Sequence, residues 1–115
     1  MKIYVVQLVT LQDGSHVSGL MKTFKSIIRP MEGDLLDDPG FYAEPYEYTI
    51  LKTSINYEMD ECYVSMKPIL METMDEKVLY AYIEKLKMNG WSVIPTEEFV
   101  HGHMTVVRKE HGKGI

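Results

Sequence analysis

The clearest alternation of apolar and polar positions lies in residues 46–71. Tyr46, Tyr48, Thr49, Ile50, Thr53, Ile55 and Tyr57 are β-branched or aromatic, the types that suit a pleated, half-buried surface. Cys62, Val64 and Met66 then alternate with Tyr63, Ser65 and Lys67, so one face is more apolar than the other. The runs 46–57 and 62–71 predict a β-hairpin. Its turn, Glu58-Met59-Asp60-Glu61, is polar but lacks an Asn-Gly or Asp-Gly pair. Pro68 has no amide hydrogen for a ladder, so the return strand breaks there or becomes an edge.

The pattern then switches period. Val78, Leu79, Tyr82, Ile83 and Leu86 recur at helical spacing and predict a helix over residues 73–89. Thr73 and Glu76 have the spacing of a capping box, and Gly90 stands where a helix commonly ends in a left-handed residue. Trp91, Val93 and Ile94 predict a short strand that Pro95 ends. Residues 3–11 are apolar on both alternating faces, which suits a central strand covered on both sides or touching a second subunit. Residues 99–108 alternate as a last strand, and residues 109–115 read as a frayed tail.

Residues 15–29 fit two patterns. Val17, Leu20, Met21, Phe24, Ile27 and Ile28 form a helical stripe, with Lys22, Lys25 and Arg29 on the other side. Asp13-Gly14 followed by Val17 opens a β-hairpin equally well, and Gly19 and Thr23 are poor helix residues. Periodicity favours the helix. The order is then β-α-β-β-α-β-β, an α+β chain whose first six elements match the ferredoxin-like β-α-β-β-α-β pattern, with an extra C-terminal strand. With residues 15–29 as strand, it becomes a mostly antiparallel sheet packed by one helix. In either case a single domain over 1–108 is expected, and the sheet face away from the helix is left for water, a ligand or a second subunit.

A chain of 115 residues can bury roughly 65% of its unfolded surface in one core. The formal net charge of −5 argues against a general phosphate-backbone binder and permits a basic protein partner. One cysteine, Cys62, excludes an internal disulfide and suits a reducing compartment; inside an apolar strand it reads as a small core hydrophobe. No run approaches the roughly 20 apolar residues that span a bilayer, and the expected location is cytoplasmic.

Candidate chemistry is sparse. The loop over residues 31–45 is punctuated by proline and glycine, and no Lys or Arg occurs from residue 30 through 51. Its acidic and aromatic residues, Glu32, Asp34, Asp37, Asp38, Phe41, Tyr42 and Glu44, run on into Tyr46 and Tyr48. Together they suggest a contact surface for a basic partner, with tyrosines supplying area and carboxylates steering association. The acids lack the spacing of a calcium loop. His101 and His103 share one strand face and could hold Zn or Fe, with Glu97 or Glu98 as a third ligand. No phosphate loop, catalytic triad signature or paired cysteines occur.

The leading expectation is therefore a non-catalytic protein that binds another protein, or itself, through the acidic, tyrosine-rich loop and an open sheet face, with no cofactor. The alternative is a small-ligand-binding homo-oligomer, its pocket between subunits lined by Tyr, Met and Arg108. The third is a metal-dependent enzyme using His101 and His103.

Overall fold

The computed structural model describes residues 1–42 and 46–95. Among them are β1 (Lys2–Thr10), β2 (Ser18–Lys25), β3 (Ile50–Asn56), β4 (Glu61–Met66), β5 (Ile69–Leu70), α1 (Glu76–Met88) and β6 (Ser92–Ile94). They form a mixed six-stranded sheet of order β3-β4-β1-β2-β6 packed with one helix, an α+β arrangement. The two-sided apolar run becomes the central strand β1, antiparallel to β2 and parallel to β4. β5 continues beside β1 beyond β4, and β6 pairs antiparallel with β2.

This order is not the ferredoxin-like one, because residues 18–25 are strand and not helix. The correction has a physical cause. Eight register pairs tie β2 to β1, from Lys2↔Lys25 to Val9↔Ser18, and a strand so placed buries Gly19 and Leu20. The apparent helical stripe borrowed Val17, Ile27 and Ile28, which lie outside β2 and are exposed. Gly14 and His16, both at positive φ, make the turn between β1 and β2. The last strand and tail expected at 99–115 lie outside the described residues.

The β3–β4 hairpin forms as its composition predicts. With no glycine in the turn, Asp60 takes the left-handed conformation (φ 54°), and the Asn56 side-chain oxygen accepts the Met59 amide at 3.1 Å. Between the register pairs Val6↔Ser65 and Val9↔Ile69, three residues, Met66, Lys67 and Pro68, stand opposite Gln7 and Leu8 of β1. This explains the glutamine within the apolar run. Gln7 Nε2 donates to the carbonyls of Lys67 and Leu8, both at 2.9 Å, where the ladder is interrupted.

The helix starts two residues later than a Thr73 cap would place it. The Thr73 carbonyl accepts the Gln12 amide at 2.9 Å, which ties this residue to the end of β1. Its hydroxyl accepts the Asp75 amide, and Asp75 is the cap, accepting the Lys77 amide at 2.9 Å. Gly90 has φ 92°, as its place after the last turn requires. Leu79, Tyr82, Ile83 and Leu86 enter the main core with Val9, Leu11, Leu20 and Trp91, whereas Val78 is exposed. Each large apolar side chain buried there contributes about 1.5–3 kcal/mol. A smaller cluster of Tyr4, Val6, Tyr63 and Ile94 is also buried, so the openness expected of the opposite sheet face does not extend to its centre. Among the described residues no helix is long and apolar enough to cross a membrane.

Candidate functional site

The chain between β2 and β3 divides into two parts with different behaviour. In the second part, Asp38, Gly40, Phe41 and Tyr48 are built into the core. Asp38 is buried: its Oδ2 lies 2.8 Å from Lys22 Nζ of β2, and its Oδ1 accepts Trp91 Nε1 at 3.0 Å and the Gly40 amide at 2.8 Å. Burial alone would push this carboxyl up. The hydrogen bonds from Lys22, Trp91 and Gly40, with the Lys22 charge, outweigh that and hold it below its ordinary value. Gly40 lies so close to α1 that a Cβ would sit 3.1 Å from Leu86 Cδ2.

Aromatic rings follow in a stack. Phe41 stacks on Tyr48 with ring centroids 3.7 Å apart and tilts against Trp91, and Tyr42 stacks on Tyr82 at 4.4 Å. The Tyr48 and Tyr82 hydroxyls hydrogen-bond to each other. Burial pushes both hydroxyls above their ordinary acidity range, Tyr82 the further. Tyr46 is half-buried, its hydroxyl accepting the Glu72 amide at 3.0 Å.

The first part, residues 26–36, is pinned by its backbone. Gly33 donates to the Ile50 carbonyl at 2.8 Å, Ile50 donates to Asp34 at 2.8 Å, and Leu36 donates to Tyr48 at 2.8 Å, so residues 33–36 run beside 48–50. Its side chains are not enclosed. Ile27 is 100% exposed, Ile28 76%, Leu35 68% and Met31 51%. Beneath Ile28 and Leu35 lies a cleft of about 450 Å³. Its floor is apolar, from Ile3, Val5, Ile50 and Val64; Phe24, Pro30 and Leu36 line it further, with Lys25, Arg29 and Asp34. No residue of α1 lines it.

The residues singled out in the sequence therefore separate. Asp38, Phe41 and Tyr48 are buried, Tyr42 and Tyr46 are half-buried, and Glu32, Asp34, Asp37 and Glu47 remain exposed. Glu44, His101, His103 and Arg108 lie outside the described residues. Among the described residues no group of three or more His, Cys, Asp or Glu side chains could hold a metal. Cys62 is buried, and burial pushes its thiol up while the charge of Arg29 opposes that rise.

Three features were not found in the sequence. One is the Lys22–Asp38–Trp91 arrangement, which joins β2, the loop and the residue before β6. Another is the cleft with its two cations, since the sequence pattern places Lys25 and Arg29 only on the far side of a helical stripe. The third is on the other sheet face. Tyr4 and Tyr63, directly paired across β1 and β4, each donate a hydroxyl to the buried Glu61 carboxylate at 2.8 Å. Glu61 and Tyr63 share a strand face at spacing two, a signal that acquires meaning only once the parallel register with Tyr4 is known. No family model matches this chain, and neither a curated protein nor a solved structure matches it.

Proposed function

We propose that this protein is a non-catalytic binding module that engages a protein partner through the loop between β2 and β3. The observation that carries this reading is the exposure of four large apolar side chains, Ile27, Ile28, Met31 and Leu35, on one short segment. Large apolar side chains gathered in solvent mark contact sites more often than they serve a free chain. Glu32, Asp34 and Asp37 stand among them, so the matching surface is apolar with basic residues at its rim. The aromatic part of the loop supports this surface from beneath. Phe41 and Tyr48 hold the loop on the core, where the sequence alone suggested contacts with the partner.

The test compares capture by the parent chain, by Ile28→Asp with Leu35→Asp, and by Tyr80→Asp on the exposed side of α1. A partner retained by the parent and by Tyr80→Asp but lost by the loop variant supports the reading. Equal retention by all three contradicts it. Sedimentation of the purified protein separates a second copy of the chain from a foreign partner.

A second reading is favoured by the cleft itself. Its volume of about 450 Å³ falls in the range of small-ligand sites. In this reading the pocket lies within one chain, between the sheet and residues 26–36.

A further inference from the structure

We infer that the cleft between the sheet and residues 26–36 binds a small amphipathic anion, its apolar tail on Ile3, Val5, Ile50 and Val64 and its anionic head at Arg29 and Lys25. This rests on the second reading above, that the cleft is a ligand site, and adds the chemistry of the ligand.

The floor of the cleft is apolar. Ile3, Val5, Ile50 and Val64 are nearly enclosed, and the more open Phe24, Ile28, Leu35 and Leu36 complete the apolar lining. An apolar floor favours an apolar occupant, which displaces water that has few partners there. At about 30 Å³ per water-sized group, the volume accommodates on the order of ten to fifteen non-hydrogen atoms.

The lining fixes the sign of the head. Lys25 and Arg29 contribute two positive charges, and Asp34 contributes one negative charge. Asp34 already accepts the Met31 amide through Oδ2 at 3.1 Å. Among the described residues neither Lys25 nor Arg29 has a carboxylate partner; Lys22, the neighbouring cation of β2, is the one that Asp38 takes. The Arg29 charge opposes the rise that burial gives the enclosed Cys62 thiol. A planar guanidinium beside an apolar floor is suited to a carboxylate, sulfonate or phosphate ester that carries a short hydrocarbon tail. A cationic amphipath meets two like charges, and a neutral one leaves the head position unused.

The experiment titrates the methyl-labelled full chain with octanoate and, separately, with octan-1-ol, following the methyl resonances of Ile3, Val5, Ile50 and Val64. The expected result is that both ligands shift these resonances and that octanoate binds about tenfold more tightly, the size of a charge-assisted contact. In the Lys25→Gln, Arg29→Gln variant, octanoate affinity falls to that of the alcohol; both positions are exposed, so the fold is retained. Equal affinity for acid and alcohol in the parent overturns the inference while leaving the cleft an apolar ligand site. Unchanged octanoate affinity in the variant also overturns it. No shift with either ligand overturns it together with the reading of the cleft as a ligand site.

Discussion

Leu79, Tyr82 and Leu86 of α1 are fully enclosed against the sheet, whereas Ile27, Ile28 and Leu35 stand in solvent above the same sheet face. The helix can seal its part of the face because it satisfies its own backbone and presents one apolar stripe. The loop has no such autonomy. Residues 33–36 hydrogen-bond to Tyr48 and Ile50, and the orientation this imposes leaves apolar side chains outward and a cleft below. The second part of the loop is sealed only where Asp38 fastens it to Lys22 and Trp91. Stability is thus concentrated under the helix and at Asp38, and the proposed binding surface lies where the cover is incomplete.

The sharpest way to break this contrast is to remove its fastening. Asp38→Ala leaves the Lys22 cation and the Trp91 indole N–H without their carboxylate, and is expected to cost about 3–5 kcal/mol in denaturant unfolding. The pH dependence follows the same group. Its folded-state carboxyl is held below the ordinary value, so its contribution is complete above that ordinary value, near pH 4, and fades as pH falls through the folded one. Asp38→Asn should flatten that part of the acid-stability profile. Next in size, Leu86→Ala should cost about 2–5 kcal/mol because it opens a cavity in a closed region. Leu36→Ala, the same deletion beside the cleft, should cost about 1 kcal/mol, since open space is already there. Equal losses at the two leucines would show that the halves are packed alike. A smaller effect is expected at Gln7→Met, about 1–2 kcal/mol, from the Lys67 carbonyl left without its donor. Smallest is Ile28→Asp, within about 0.5 kcal/mol in the same unfolding assay, because its side chain already lies in water.

Local pattern made several elements legible. The two-sided apolar run became β1, the β-branched and aromatic runs became the β3–β4 hairpin, and the 3.6-residue stripe became α1 with Gly90 at its end. Cys62 is the core residue its strand context implied. Residues 15–29 misled because six apolar positions matched helical spacing by combining strand residues with loop residues on either side. Pairing with β1 decided the outcome, and pairing is a long-range term that no local window contains. The candidate surface was legible only in part. A run of acids and tyrosines marks the loop that carries the proposed surface, but whether each side chain faces the core depends on partners far away in sequence. Asp38 meets Lys22 and Trp91, and Phe41 meets Tyr48 and Trp91. The cleft was hidden for the same reason, since its floor comes from three strands and one side from the loop.

The contrast between the two covers is tested most directly by photo-crosslinking. A benzophenone side chain is placed at position 28 on the loop and, in a second variant, at position 88, where Met88 is equally available on α1. The expected result is one discrete adduct from position 28, weakened by added salt because the surrounding carboxylates steer the encounter, and none from position 88. Equal labelling from both positions, or an adduct from position 88 alone, would contradict the assignment of the loop as the binding surface.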